Sequence, residues 1–276
     1  MNRFRCAILL LAFFTACTSS NKKTQDPQIV KVELSTDMGN VILELSNETP
    51  LHRDNFVKLV NDGYFDGMLF HRVINGFGIQ SGDPDSKTAA PGDTLGNGGP
   101  GYTIPSEING TLYHKRGAIL AARDNNPARA SSGSQFFIVQ GKVQTDSILN
   151  LAEKRINGWL AEHAFINDPH HKTLRDALQL AIDSEDEKQL STLSDSIKAG
   201  AENYSDFERY SIPEAHREVY KTSGGAPHLD QNYTVFGEVI KGMNVVDSIA
   251  TLPVDPLARP LSDIRIISAK ILADEN

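Results

Sequence analysis

The chain has 276 residues, a formal net charge of −8, 39% hydrophobic residues and 22% charged residues. Such a length holds one large domain or two modest ones. The composition is that of a soluble globular protein, and the acidic balance argues against a nucleic-acid surface.

The first residues read as an export signal. Arg3 and Arg5 make a positive start, and Ala7 to Phe14 is an unbroken apolar run too short to span a bilayer as a helix. Thr15-Ala16-Cys17 follows at once and resembles the lipobox of bacterial lipoproteins, with Phe14 where Leu is usual. The resemblance implies residues 1–17 as signal and lipobox, and Cys17 as the acylated new N-terminus. Ordinary signal cleavage or an uncleaved anchor is the plainer alternative. The sequence has two Cys. Cys6 would leave with the signal and Cys17 would carry lipid, so the mature chain is expected to have neither disulfide nor free thiol. An acidic body at an anionic membrane needs such a covalent anchor. Residues 18–28 are polar and read as a flexible tether.

Ile29–Ser35 and Val41–Ser46 alternate as strands around the turn signal Asp37-Met38-Gly39-Asn40, which predicts a hairpin. Thr49 and Pro50 mark a helix start, with Thr49 as cap, and Gly63 marks its end. Leu69–Ile74 and Gly78–Ser81 are short strands around Asn75-Gly76. Ser86 to Gly101 is a long Gly- and Pro-rich loop. Gly117–Ala122 and Gln135–Gln140 read as strands joined by a polar loop. Tyr233–Ile240, Asn244–Ile249 and Ile264–Leu272 read as strand, helix and strand. Short strands with only two helices predict a mainly β protein with a closed architecture.

Between Gln140 and Pro227 the pattern turns helical. Leu149, Ala152, Ile156, Trp159, Leu160 and His163 make one stripe. Leu174, Leu178, Ala181 and Ile182 make a second, and Leu190, Leu193 and Ile197 a third. Asp168-Pro169 and Ser184–Lys188 separate them. Ile212-Pro213-Glu214 opens a fourth short helix, which Gly224-Gly225 closes. Residues 141–225 are therefore expected to form an inserted α-helical subdomain packed on itself beside the β core, which comprises 29–140 and 226–272.

Three runs carry the chemistry. Phe70-His71-Arg72-Val73-Ile74-Asn75-Gly76-Phe77-Gly78-Ile79-Gln80 sets a guanidinium among apolar residues with an amide nearby. Gly133-Ser134-Gln135-Phe136-Phe137-Ile138-Val139 and Tyr233-Thr234-Val235-Phe236-Gly237 follow. In this order they resemble the cyclophilin family of peptidyl-prolyl cis–trans isomerases. The resemblance implies a closed eight-stranded antiparallel barrel with two capping helices. It also implies that X-Pro bonds are isomerised without any cofactor.

By the same resemblance, Arg72 is the catalytic guanidinium and Gln80 the amide that binds substrate and steadies it. Phe77, Phe136, Leu229 and Tyr233 form the proline pocket. Ala122 and Arg123 offer backbone to an extended substrate, and Gln135 is a further contact. His71 is structural, since amide rotation needs no net proton transfer. Gly78 stands where many members have Met, so one pocket wall is missing or must be supplied by a neighbour. His228 replaces a Trp that contacts cyclosporin in many eukaryotic members, which puts sensitivity to that drug in doubt.

His163, His170 and His171 lack partners for a metal site. Gly96-Asn97-Gly98-Gly99-Pro100-Gly101 lacks the Lys and helix of a phosphate loop. The expected partners are proline-bearing unfolded or flexible protein segments, with the membrane reached through the lipid and no nucleic acid. The expected state is a monomer in the cell envelope. Thr18 after Cys17 favours the periplasmic face of the outer membrane if the source has two membranes. The alternative is a proline-peptide binding module, or chaperone-like lipoprotein, with little turnover.

Overall fold

The computed structural model describes residues 29–273. The signal, Cys17 and the tether lie outside the described residues.

The chain begins with the expected hairpin. β1 (Val30–Thr36) and β2 (Gly39–Leu45) pair antiparallel across a tight turn. Val32, Leu34, Val41, Leu43 and Leu45 point to one buried side. α1 (Pro50–Asn61) follows, with Pro50 at its first position and Gly63 in the left-handed region just beyond it.

Thr49 sits at the N-cap but its hydroxyl makes no cap bond and is buried without a partner. The carboxylate of Glu107 takes that place. It accepts from Leu51 N and His52 N, each at 3.0 Å, and bonds His52 Nδ1 at 2.7 Å. A carboxylate suits the positive end of a helix.

The remaining strands are β3 (Arg72–Ile74), β4 (Gly78–Ser81), β5 (Thr103–Ile104), β6 (Ala118–Ala121), β7 (Ser131–Ser132), β8 (Phe136–Val139), β9 (Val235–Lys241) and β10 (Ile266–Ile271). Eight of the ten form one antiparallel sheet in the order β10-β1-β2-β9-β6-β8-β4-β3, while β5 pairs with β7. Register shifts in the β1–β10, β2–β9 and β6–β9 ladders add twist, and the sheet curls.

The sheet is open, not the closed barrel expected from the sequence. β3 is only three residues long, shorter than the strand expected over 69–74, and no ladder joins it to β10. The two edges approach through their lead-in segments instead. Leu69 and Arg265 form an isolated bridge. Phe70 N donates to Ile264 O at 2.9 Å and Ile266 N to Met68 O at 2.8 Å.

The main core fills the concave side. α1 contributes Phe56, Leu59 and Val60 to it, and α6 (Met243–Ala250) contributes Val245, Val246 and Ile249. Burying such side chains is worth about 1.5–3 kcal/mol each.

Between β8 and β9 lie α2 (Asp146–Asn167), α3 (Lys172–Asp183), α4 (Glu187–Ala201) and α5 (Glu214–Thr222). The expected helix breaks fall where Asp168-Pro169 and Ser184 stand. Their packing departs from a purely self-contained subdomain. Ile166, Leu178 and Ile197 do form a cluster of their own with Leu174, Leu190 and Leu193. The first half of α2 and α5 pack inward instead. Leu149, Ala152, Ile212 and Tyr220 cluster with Tyr113 of the β core. Tyr220 is fully buried, and its hydroxyl donates to both carboxylate oxygens of Asp230 at 2.9 Å. His114 Nδ1 bonds the same carboxylate at 2.8 Å. A buried carboxylate needs such partners.

Candidate active site

Strand register decides which side chains meet. Arg72 pairs with Gln80, Gln80 with Phe137, Phe137 with Leu120, and Leu120 with Val235. Directly paired residues share a face of the sheet. This outer face carries an apolar cluster of Ala118, Leu120, Phe137, Val139, Leu229 and Val235, with Phe77 and Tyr233 packed against it. Arg72 and Gln80 stand at one end of the row.

Phe136 does not belong to that group. It is 1% exposed on the concave side, with rings of Phe56 at 5.5 Å and Phe65 at 5.6 Å edge-on to it. The structure therefore does not bring Phe136 together with Phe77, Leu229 and Tyr233; the ring that meets Phe77 there is Phe137, 4.7 Å away. Consecutive strand residues point to opposite faces. Both faces of β8 are buried, so the run Phe136-Phe137-Ile138-Val139 shows no polar alternation that would reveal which Phe faces out.

Phe77 sits in the turn between β3 and β4. Its carbonyl accepts from Gln140 N and Gly141 N, and its own N–H donates to Ile74 O. Gly78 has no room for a side chain, since a Cβ there would collide with the Phe137 ring and the Ile138 carbonyl. Phe137 thus supplies the wall that a longer residue at 78 would make. His228 stacks on the other side of Phe77, 5.6 Å between centroids and 24° between planes. Burial is the main cause that lowers its pKa to about 4, so it is a neutral wall at physiological pH.

The polar end is a relay. Arg72 donates from one terminal nitrogen to Gln80 Oε1 at 3.3 Å. Gln80 Nε2 donates to Gln135 Oε1 at 2.9 Å. Gln135 Nε2 donates to the carbonyls of Gly96 and Gly98 at 2.7 and 2.8 Å. The glycine-rich loop therefore serves as an acceptor wall. Arg72 is half-buried, and among the described residues Gln80 is its only hydrogen-bond partner. That single bond leaves most of its donors unused.

His71 is 4% exposed and neither ring nitrogen has a partner. Burial lowers its pKa to about 4, so it is a neutral core group and not a proton carrier.

Both main-chain groups of Ala122 are engaged within the fold: its N–H donates to Gln135 O at 3.0 Å and its C=O accepts from Ser132 N at 2.8 Å. Arg123 makes no such internal main-chain bond among the described residues. Its side chain lies 5.0 Å over the Tyr233 ring and donates to Asn232 O and Oδ1. Leu229 is buried in the outer apolar cluster.

Among the described residues no group of three or more His, Cys, Asp and Glu could hold a metal ion, and no helix is long and apolar enough to cross a membrane.

Comparison with known proteins fits this geometry. The family model for cyclophilin type peptidyl-prolyl cis-trans isomerases matches residues 30–157 and 212–271. A Staphylococcus aureus (strain USA300) protein named "Putative peptidyl-prolyl cis-trans isomerase" is 30% identical over 253 residues, covering 91% of this chain and 95% of that protein. A Staphylococcus haemolyticus protein of the same name is 29% identical over 252 residues, with 91% and 95% covered. The crystal structure of a Cryptosporidium parvum cyclophilin type isomerase superposes with a TM-score of 0.54 at 20% identity, covering 90% of this chain and all of that one. A second structure of that protein, determined in the presence of the dipeptide Ala-Pro, gives 0.52 at 20% identity, covering 88% and 99%. At such identity the likeness bears on the fold. The curled open sheet with its helices is thus a cyclophilin fold. The chain belongs to the cyclophilin-type peptidyl-prolyl cis-trans isomerase family and is an enzyme of that class.

Proposed function

We propose that the chain isomerises X-Pro bonds of exported or envelope proteins, with Arg72 stabilising the twisted amide. One observation carries the mechanism. An Arg with free donors stands on the same sheet face as the apolar cluster of Phe77, Phe137 and Leu229.

Resonance holds an amide planar with a barrier of about 18–20 kcal/mol. When the bond twists, the proline nitrogen becomes pyramidal and basic. A guanidinium hydrogen aimed at that nitrogen binds only the twisted form, so it lowers the barrier rather than tightening the ground state. An acceleration of about 10⁴ requires about 5.5 kcal/mol. One charge-assisted bond contributes about 1.5–3 kcal/mol. The remainder comes from holding the ring in the Phe77–Phe137–Leu229 pocket and from the low dielectric there. Gln80, fixed by Gln135, keeps Arg72 from folding back.

The export signal supports an envelope location, and Thr15-Ala16-Cys17 supports a lipid anchor on Cys17. We place the anchored enzyme at the periplasmic face of the outer membrane where the source has two membranes, acting as a monomer. Residues 29–140 and 226–272 are the catalytic unit. The helices within 141–225 are an insertion, supported by the gap in the family match at 158–211.

The test is a peptide isomerisation assay on a soluble form beginning at Lys22. Catalysed exchange of an Ala-Pro peptide is expected. Binding without acceleration would instead identify a proline-peptide binding module.

A further inference from the structure

A second cavity, of about 290 Å³, lies between the loop after β6 and the helices α2, α3 and α4. The β core supplies Arg123, Arg129 and Tyr233 to it. The helices contribute Trp159, His163, Leu178 and Ile197 among others, and all four fall in the stretch that the family model leaves unmatched. Arg123 also lines the cleft formed by Gln80, Gln135 and the glycine-rich loop. With Asp124, which also lines both, it stands between the two spaces.

The charges in this cavity are unusual. Arg129 is 8% exposed, yet its guanidinium bonds only neutral oxygens, Gln231 O at 2.8 Å and Trp159 O at 3.3 Å. Those two bonds leave most of its five N–H groups unused. Arg123 likewise bonds only Asn232 and the Asp124 carbonyl. Asp124 and the half-buried Glu162 also line the cavity, and Asp124 acts electrostatically on Arg123, but neither forms an ion pair with either Arg, and no other carboxylate does so among the described residues. A buried cation without a counter-charge is costly. The local potential agrees. The pKa of Arg129 falls to about 10 through burial and the nearby Arg123, and that of His163 to about 4 through burial with both guanidiniums adding to it. The backbone of Arg129 is held at φ +54, a conformation that non-glycine residues rarely adopt without support.

We propose that this cavity is an acidic-residue subsite: it takes a Glu side chain of the proline-bearing client, with the carboxylate on Arg129 and Arg123 and the methylenes on Leu178 and Ile197. The inference rests on the isomerase reading and names the client class, segments with an acidic residue near the proline. Guanidinium–carboxylate pairing is planar and bidentate, which fits two forks facing one small space.

The experiment uses the purified full chain and a nested set of peptides. Each has one X-Pro bond and a Glu stepped through successive positions on either side, with Gln in the matching controls. At one offset the Glu peptide is expected to show a KM at least about fivefold below its Gln control, a gap that narrows with salt. Trp159, the only Trp, is expected to change its emission on saturation with that peptide and not with the control. Arg129→Gln is expected to abolish the preference while leaving kcat/KM on the Gln peptide unchanged. Ser194→Glu, which puts a carboxylate at the cavity wall from α4, provides the same test without touching a buried Arg. Equal KM values at every offset, or a Glu preference that survives both substitutions, would overturn the subsite while leaving the isomerase intact. If no peptide is turned over, the isomerase reading fails, and Trp159 titration with the same Glu and Gln pairs still decides the cavity.

Discussion

Arg72 and Gln80 face each other across the β3–β4 ladder, with the guanidinium donating to the amide oxygen at 3.3 Å. The bond is long, and it leaves Arg72 poised rather than locked. Replacing Arg72 with Ala is expected to cut kcat at least about tenfold with little change in KM, because the lost bond is made in the twisted state. Gln80→Ala should give a smaller loss, with the guanidinium still present but less confined. Near-normal turnover in a folded Arg72→Ala protein would remove Arg72 from the mechanism.

Phe136 and Phe137 are neighbours with opposite fates. Phe136→Ala empties part of the main core and is expected to cost about 3–5 kcal/mol of stability. Phe137→Ala should cost less stability, since the outer cluster borders the ligand space, and should lower kcat/KM more. Urea unfolding beside peptide kinetics separates the two. A catalytic defect confined to Phe136→Ala would reverse the assignment.

The buried contact between Tyr220 and Asp230 ties α5 to the turn that carries Leu229. Tyr220→Phe removes one of the partners of a carboxylate at 2% exposure, leaving His114 and Tyr210. A loss of about 1–3 kcal/mol is expected. For the same reason, replacing all of 142–225 with a short Gly/Ser loop removes Tyr220 and should destabilise the core. A loop replacing only 158–211 should leave a folded isomerase on a small peptide. Thermal melts of the two deletions read the difference directly.

His71 sets an acid limit. Its folded pKa of about 4 lies below the unfolded value of 6.5. Between these values the unfolded chain binds the extra proton, so stability falls as pH drops from 6.5 toward 4. The complete effect is on the order of 3 kcal/mol. Because neither ring nitrogen has a partner, His71→Leu should be tolerated at pH 7 and should flatten this part of the pH–stability curve. A curve identical to the wild type would show that His71 is not the group responsible.

Cys17 is open to a direct measurement. Mass spectrometry of the mature N-terminus is expected to find a diacylated Cys17, and Cys17→Ser to yield no lipidated form. A free Thr18 terminus would indicate ordinary signal cleavage.

The local chemistry of the sequence determined a good deal. The turn at Asp37–Asn40, Pro50 and Gly63 at the ends of α1, and the helix break at Asp168-Pro169 are set by residues a few positions apart. They were legible because turn residues, caps and helical periods act over such distances. The motif runs around Arg72, Gln135 and Tyr233 fixed the family for the same reason. Long-range pairing decided the rest. Glu107 caps α1 from 56 residues away, where Thr49 was expected to do so. Register with β4 sent Phe137 outward and Phe136 into the core, a choice hidden by burial on both faces of β8. Ala122 was spent on internal bonds to Gln135 and Ser132, and the short β3 left the sheet open. The guanidiniums of Arg123 and Arg129, the latter 30 residues from Trp159 in sequence and the former further still, share a cavity with it only because α2 folds back against the loop after β6. Each of these depends on which distant groups reach the same space, and that is set by the packing of the whole chain rather than by any one segment.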